Sequence, residues 1–532
     1  MFPDGNGKSV SRLVFVFALT LSAAVRTATA QEAEPAEKPS FDVLEYRVLG
    51  NSVLPPRDVE AAVYPHLGPG KTLDDVELAR QALENAYRAA GRGTVFVDIP
   101  AQDVGNDGVV RLKVTEGKLR TVRVTGSRFF SGRRIRETLP AAEVASVPDL
   151  PALQREITAL NTETADRSVT PVLAAGTLPG TVNLTLRVED KFPLHGSVEA
   201  NDQYTADTSR TRLNVALSYD NLFGRLDSVG LQYQTAPEEP GELGVFVASY
   251  TRNLDLGRRL AFFFVNSDSD VPALGTLNVL GKGKVYGTRF IAPYGSDADA
   301  SHVLTLGLDY KDFVESINLD EDTAFNTPIS YLHFSLADAS TWRFGRQTFS
   351  LAPSLNFGLR GIYNSVDEFA DKRYRGRPNY FYLRAASQYR SAPWHGFSLV
   401  ANLAGQYAPD AVIGNEQFTI GGADGVRGYL EAEDISDIGI KGGLQIESPA
   451  WRLGLGDSTL GGFLFYDAGV VSAVGSMLDD EVRRTDLSST GLGLTLASSH
   501  LDGYLTWAYP LVQGQRTVAG DSRLLFSLRA HW

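Results

Sequence analysis

Arg427 is the residue whose setting suggests the most specific chemistry. It lies in the stretch 421–429, Gly-Gly-Ala-Asp-Gly-Val-Arg-Gly-Tyr, whose glycines allow positive φ and close approach to neighbouring structure. A guanidinium in such a loop has two roles open to it. It can be a solvated surface charge, which is the default for arginine, or it can pair with a buried group. The secondary structure predicted around the stretch indicates which of these roles applies.

Motifs of the common catalytic sites are absent from the sequence. There is no phosphate-binding Gly-x-x-x-x-Gly-Lys-Ser/Thr loop, and 281–284 (Gly-Lys-Gly-Lys) predicts the basic start of a strand. Neither a Gly-x-Ser-x-Gly elbow nor a His-Glu-x-x-His pair occurs. The seven histidines are dispersed, which argues against a metal site. We therefore expect no enzyme activity and no catalytic, cofactor-binding or metal-binding residues.

Composition points to a large β-structure. The 532 residues include 51 glycines, 27 phenylalanines and 21 tyrosines, a combination of turn-forming and aromatic residues that suits membrane strands with aromatic girdles. The absence of cysteine excludes disulfides, thiol catalysis and zinc-thiolate sites. A net charge of −13 argues against a nucleic-acid partner.

The N-terminus predicts export. Lys8 and Arg12 precede the apolar run 13–25, and Ala-Thr-Ala at 28–30 fits a cleavage site, so 1–30 is expected to be a signal peptide. No later run of ~20 apolar residues is free of charges. If the mature chain crosses a membrane, it must therefore do so as a β-barrel, because only helices and closed barrels satisfy every backbone polar group in lipid.

After a short polar linker at 31–40, one order of elements occurs twice. Residues 41–117 and 118–190 each show strand, helix, helix, strand, strand, which predicts two copies of a small α/β module. An exposed sheet edge in such a module can accept an extended client segment through main-chain hydrogen bonds. Any pair of small ferredoxin-like domains has a comparable order, so the order by itself does not identify the module.

From residue 191 onward, helical spacing gives way to alternation of apolar and polar residues. The segments 212–219 and 523–532 alternate cleanly, and about sixteen such segments follow one another to the C-terminus. An even number of strands with an apolar outer face predicts a closed transmembrane barrel over 191–532. The longest connection, 406–438, contains Arg427. Trp532 ends the chain on the apolar face of the last segment, and we interpret it as a C-terminal barrel signal.

Two motifs in this barrel resemble those of a known family. Val426-Arg427-Gly428-Tyr429 resembles the VRGY motif of the two-partner secretion transporters, the hemolysin secretion/activation (ShlB/FhaC/HecB-like) family. Phe465-Tyr466-Asp467-Ala468-Gly469 is similar to the F-x-D-x-G motif of the same family on a late strand. The first module ends with Val114-Thr115-Glu116-Gly117 and the second with Val188-Glu189-Asp190. With these similar endings, the two modules resemble the periplasmic POTRA domains of outer-membrane translocators.

The resemblance implies a role for each motif residue. The loop 406–438 would fold into the barrel, where Arg427 would pair with Asp467 on the strand. Gly428 would provide clearance, and Tyr429 would pack beside the pair. A charge in a partly dehydrated lumen is costly unless it is paired, and a guanidinium–carboxylate fork compensates that cost best. Family members often begin with a plug helix, for which 31–40 is too short.

The resemblance also implies a function. It is export of a partner exoprotein, of adhesin or hemolysin type, across the bacterial outer membrane, and it includes a role in activating a secreted cytolysin. The expected partners are this exoprotein at the POTRA-like modules, outer-membrane lipid and the barrel assembly machinery. Two alternatives remain open at this point: an insertase for outer-membrane proteins from the same superfamily, and a diffusion porin.

Overall fold

The computed structural model describes residues 39–104, 107–206, 208–268, 282–314, 316–320, 323–454, 456–475 and 484–532. The expected signal peptide and nearly all of the expected linker lie outside these residues. Within the described ranges, no helix is both long enough and apolar enough to cross a membrane.

The first module packs two helices against a small sheet. Its elements are β1 (Phe41–Val43), β2 (Glu45–Leu49), α1 (Pro56–Val63), β3 (Gly68–Lys71), α2 (Leu73–Ala89), β4 (Val95–Asp98) and β5 (Val109–Glu116). The sheet has the order β2-β5-β4, and β1 pairs with β3. Thr72 caps α2, because its hydroxyl and the Asp75 carboxylate close a capping box. Residues of α2 at helical spacing fill the core, among them Leu83 and Tyr87.

The second module follows without a linker. It consists of β6 (Lys118–Thr125), α3 (Gly132–Glu137), α4 (Leu150–Thr162), β7 (Arg167–Ala175) and β8 (Thr181–Asp190), with the sheet order β6-β8-β7. The boundary between the two compact units of the chain passes through this module. One unit holds the chain up to Thr121 with Ala141–Leu153 and Ala174–Asn183, and the other holds Val122–Pro140, Gln154–Leu173 and Leu184–Trp532.

The rest of the chain forms a closed antiparallel barrel, which confirms the predicted class of fold. The strands are β9 (Leu194–Asn201), β10 (Arg212–Leu222), β11 (Asp227–Thr235), β12 (Gly244–Asn253), β13 (Arg259–Ser267), β14 (Gly283–Tyr294), β15 (Ala300–Phe313), β16 (Ser316–Asp320), β17 (Thr323–Asn326), β18 (Ile329–Phe344), β19 (Gln347–Phe357), β20 (Phe381–Arg390), β21 (Ser398–Tyr407), β22 (Phe418–Ile420), β23 (Asp434–Ser436), β24 (Ile438–Glu447), β25 (Trp451–Arg452), β26 (Thr459–Ser472), β27 (Arg484–Ala497), β28 (Leu501–Pro510) and β29 (Arg523–His531). Sixteen of them make the barrel wall, closed by β29 against β9. The pairs β16–β17 and β22–β23 are separate, and β25 is a two-residue addition beside β26.

Alternation places apolar side chains on the outer face and polar ones inside. On β10, Val215 and Leu217 are exposed while Asn214 is buried. The strand β18 extends to Phe344, although its alternation predicts an end near residue 337. The extension carries Asp338, whose carboxylate accepts hydrogen bonds from Tyr294 at 2.6 Å and Ser340 at 2.5 Å. A polar residue with satisfied bonds continues a strand that the hydrophobic pattern does not reveal.

The long connection between β21 and β24 has structure of its own. Within it β22 pairs with β23, so residues 421–433 form the tip of a short hairpin. A second connection, between β19 and β20, contains the helix α5 (Val366–Lys372), which the sequence pattern does not predict. Phe369 of α5 is buried in a cluster that includes Tyr331 and Tyr382. Both connections thus pack against the barrel instead of extending into solvent.

Candidate functional site

Arg427 forms a forked ion pair with Asp467 of β26. Its Nε lies 2.7 Å from Asp467 Oδ2, and its Nη2 lies 2.9 Å from Oδ1. The third guanidinium nitrogen, Nη1, donates to Gln445 Oε1 of β24 at 2.7 Å. The Asp467 side chain is 2% exposed and that of Arg427 is 16% exposed. Since water is largely excluded, each charge depends on the other for its compensation.

The aromatic residues of the strand motif support the same guanidinium. The Arg427 Cζ atom lies 3.6 Å from the centre of the Phe465 ring and 5.6 Å from that of Phe463. Stacking of a planar guanidinium on an aromatic face is a favourable cation–π contact, and a lysine ammonium could not reproduce it together with the fork. The arginine is therefore positioned from its edge by Asp467 and from its face by Phe465.

Glycines next to the pair provide the clearance. Gly428 has φ +94°, and a Cβ at this position would lie 3.3 Å from the Ala508 side chain. A Cβ on Gly469 would lie 3.1 Å from Val426 Cγ2. Val426 itself is fully buried. A larger residue at Gly428 would press the loop against β28, and one at Gly469 would push Val426 away from β26. Either shift would lengthen the hydrogen bonds of the Arg427 fork.

Tyr429 joins the loop to the part of the barrel next to β26. Its hydroxyl lies 2.9 Å from the Ser488 carbonyl and 2.7 Å from the Val512 carbonyl, so it can donate to one of them. The Val512 amide donates back to the hydroxyl at 3.3 Å. The side chain is 1% exposed. Tyr429 thus fixes the loop to the chain around β27 and β28.

Trp532 lies at the seam where the barrel closes. Its amide donates to the Gly196 carbonyl at 3.1 Å, and the Gly196 amide donates back at 3.3 Å. A Cβ on Gly196 would lie 2.1 Å from the indole ring, so glycine is required for this contact. The indole remains more than half exposed on the outer face.

Comparison with known families identifies the chain. The model of the haemolysin secretion/activation protein ShlB/FhaC/HecB family matches residues 180–496, which is more than half of the 532 residues. The chain belongs to this family. In addition, the ShlB-type POTRA domain matches residues 41–117.

Relatives with similar lengths support the assignment. The outer membrane transporter CdiB of Dickeya dadantii (strain 3937) is 24% identical over 496 residues, which cover 89% of this chain and 83% of the relative. The structure of CdiB from Escherichia coli superposes with a TM-score of 0.60 at 20% identity, covering 96% of this chain and 93% of that one. BamA from Haemophilus ducreyi lacking POTRA domains 1–3 gives 0.57 at 14% identity, covering 92% and 100%.

Membership of the ShlB/FhaC/HecB family establishes the general function. The protein is a two-partner secretion transporter of the outer membrane, with a POTRA-bearing N-terminal part and an exoprotein as its partner. The predicted location in the outer membrane is thereby confirmed. The family is one of transporters and not of enzymes.

Besides the VRGY motif, the loop of this family member is fixed by Glu416, which the sequence analysis did not single out. Its Oε1 accepts hydrogen bonds from Lys311 Nζ on β15 and from the Tyr331 hydroxyl on β18, both at 2.6 Å. Its Oε2 accepts from the Tyr382 hydroxyl on β20 at 2.7 Å. The Glu416 side chain is 2% exposed and that of Lys311 is 9% exposed. One carboxylate therefore ties the start of the loop to three strands.

Asp437 fixes the end of the loop in the same way. Its two oxygens accept from Arg373 Nη1 and Nη2, each at 2.6 Å, and from the amides of Val412 at 3.0 Å and Val474 at 2.7 Å. Asp437 is fully buried. The sequence gives one indication of Glu416 and Asp437, because the loop contains several acidic residues. Their partners, however, are separated from them by up to 105 positions.

Glu431 gives the loop a dependence on pH. The pKa of this carboxyl is raised to about 7, because burial and, to a smaller extent, nearby Asp424 raise it by more than the Ala423 amide, Lys441 and Arg523 lower it. The folded state therefore holds a proton that the unfolded state releases at a lower pH. The stability that the protonated Glu431 side chain contributes is complete below the ordinary pKa of 4.5. It is lost as the pH rises through about 7.

We expect the free energy of unfolding to fall by about 1–2 kcal/mol between pH 5 and pH 8, since water reaches part of this side chain. Urea unfolding in detergent at a series of pH values measures the change. The variant Glu431→Gln should flatten that dependence, whereas Glu239→Gln, at an exposed position, should leave it intact. An unchanged slope in Glu431→Gln would assign the dependence to another group.

Proposed function

We propose that this transporter exports a large secreted protein of adhesin or haemolysin type, whose extended N-terminal region first adds as a strand to the edge of β2. The observation that supports this step is the position of β2. It pairs with β5 on one side, in parallel, and lies at the edge of the three-stranded sheet. An edge strand presents unpaired amides and carbonyls, which a client of any sequence can satisfy.

A groove beside this edge can accept the side chains of the added strand. It has a volume of about 550 Å³ and is lined mainly by residues of β2 and α1, including Val48, Val59 and Val63. Alternate side chains of an extended peptide point to one face, so such a groove would hold every second residue of the client. Main-chain bonds thus provide affinity, and the groove provides selectivity for the client.

Next, the client passes through the barrel as the hairpin tip 421–433 leaves its position. A cavity of about 510 Å³ lies next to the Arg427 fork and is lined by polar side chains, including Asp424, Lys441 and Gln445. In this proposal Arg427 and Asp467 act as a lock that holds the tip in the lumen at rest. The outer face of the barrel contacts lipid, and Trp532 serves as the signal read by the barrel assembly machinery.

A single substitution in the groove tests client capture. Glu60 is exposed on α1 and lines the groove, so Glu60→Trp should fill it without removing a core contact. We expect export of the partner exoprotein to fall at least ~10-fold, as loss of a buried interface contact of ~1.4 kcal/mol or more would cause. Immunoblotting of culture supernatant measures the export.

Asp58→Trp is the matched control, because Asp58 is exposed on the same helix but does not line the groove. It should export normally, and both variants should reach the outer membrane in equal amounts. Normal export by Glu60→Trp would contradict capture at this groove.

A further inference from the structure

Three metal-ligating side chains meet where the second module joins the barrel. Asp166 lies in the turn between α4 and β7, His195 lies on β9, and Asp220 lies on β10. His195 Nε2 is 2.9 Å from Asp166 Oδ2 and 3.6 Å from Asp220 Oδ2. One ligand atom from each of the three lies within 4.8 Å of the others. The dispersed histidines of the sequence concealed this arrangement.

Backbone contacts hold each of the three in place. The strand register sets His195 opposite Ser218, so that Asp220 follows on the same face of β10. The Asp220 amide donates to the Pro193 carbonyl at 2.9 Å. The Asp166 carbonyl accepts from the Lys191 amide at 2.8 Å, which ties the module's turn to the segment that enters β9. The cluster therefore belongs to fixed elements and not to a freely moving loop.

The distances suit a tetrahedral ion. With bonds of about 2.0–2.1 Å, a tetrahedral Zn²⁺ separates its ligand atoms by about 3.3–3.4 Å. The two distances from His195 lie on either side of this value, and the third separation is at most 4.8 Å. Small rotations of the side chains would bring the three atoms to it, and they would leave a fourth position for water.

The excess of negative charge in the cluster also favours a bound cation. The Asp166 side chain is 8% exposed, and the ion pairs shown for Asp166 and Asp220 in the described part of the chain are both with His195. Asp220 also accepts a hydrogen bond from Ser218 at 3.4 Å. One imidazole carries at most one positive charge, whereas the two carboxylates carry two negative charges. A buried carboxylate needs compensation, and a divalent ion would supply it.

We propose that Asp166, His195 and Asp220 bind a divalent transition-metal ion of the Zn²⁺ class. An imidazole nitrogen among the ligands favours zinc over magnesium or calcium, which prefer oxygen ligands throughout. His195 also lines a cavity of about 500 Å³ on the inner side of the barrel, and this cavity gives an ion a route to the site. The bound ion would link the turn before β7 directly to the first two strands of the barrel.

Zinc titration of the full-length protein tests the proposal. The protein is purified in detergent, stripped with a chelator and titrated with Zn²⁺ by calorimetry at pH 7.5. We expect one saturable site per chain. His195→Gln and Asp220→Asn should each weaken binding at this site by more than about 10-fold, since removing even an indirect support of a metal ligand has an effect of 10- to 100-fold.

His531→Gln is the matched control. His531 lies 3.4 Å from Asp502. Among the described residues no second carboxylate completes a metal-binding group with this pair, so the variant should bind Zn²⁺ as the parent does. Equal binding by the parent and by His195→Gln would overturn the proposal and assign the zinc to other surface groups. Absence of Zn²⁺ binding by the parent would also overturn the proposal, and the two aspartates would then only pair with His195.

A spectroscopic measurement on the unmodified chain does not depend on how the variants fold. Co²⁺ in place of Zn²⁺ should show the intense visible absorption of a four- or five-coordinate site, and one equivalent of Zn²⁺ should abolish it. Only the weak absorption of six-coordinate aqueous Co²⁺ would count against the site.

Discussion

Replacing Asp467 with asparagine is expected to lower the free energy of unfolding by about 3–5 kcal/mol, because it leaves the Arg427 guanidinium shielded from water without a counter-charge. Urea unfolding of the barrel in detergent, followed by the shift between folded and unfolded mobility on unheated gels, measures the loss. Arg427→Met should have a comparable effect, because it leaves a carboxylate that is 2% exposed without its partner.

The double variant measures the interaction between the two side chains apart from their interactions with other residues. If the two side chains interact directly, Asp467→Asn combined with Arg427→Met should cost less than the sum of the single changes, with a coupling of at least ~1.5 kcal/mol. The pair Arg390–Glu447 is the matched control, since its side chains are 44% and 27% exposed. Its coupling should stay below ~1 kcal/mol. Additive effects at Arg427 and Asp467 would contradict the proposed lock.

Replacing Glu416 with glutamine should destabilise the loop at its other attachment, again by about 3–5 kcal/mol. The amide keeps the size of the side chain, but Lys311 then has no negative charge to face, and three donors compete for one amide oxygen. Urea unfolding reports the overall loss, and limited proteolysis should cut the segment 408–437 more readily than in the parent.

A second substitution makes this prediction specific. In the Glu416→Gln background, Lys311→Met removes the uncompensated cation and should restore part of the stability, although each change alone is harmful. Glu239→Gln, at an exposed position, should have no measurable effect. If the double variant is less stable than Glu416→Gln, the ionic contact is not what holds the loop there.

Together the two predictions distinguish the tip of the loop from its two ends. The attachments at Glu416 and Asp437 flank the hairpin that carries Arg427, and their carboxylates are at least as buried as that of Asp467. If the tip moves during export, the motion is expected to break the Arg427 fork while both flanking attachments persist. The exported protein would then pass beside a displaced tip and not through an emptied barrel.

Local patterns in the sequence were sufficient for the class of the barrel and for the family, but not for the helix α5. Alternation with period two places side chains on opposite faces of a strand, so the class of the barrel and its sixteen strands follow from the pattern without knowledge of the contacts. The motif around Arg427 and that around Asp467 identify a family because their order along the chain is informative. The end of β18 was misjudged, since Asp338 interrupts the apolar pattern while its hydrogen bonds preserve the strand.

Only the tertiary structure decided which residues hold the loop in place and which residues meet where the second module joins the barrel. Lys311 and Glu416 are 105 positions apart, and Asp166 and His195 are 29 apart, so no periodicity relates them. Their proximity is a product of barrel closure and of packing between module and strand. For Arg427, the sequence by itself determined the residue type and a family partner. The structure decided its geometry: a fork to Asp467, a third bond to Gln445 and a stacking surface on Phe465, because these come from two strands whose register is set by the whole barrel.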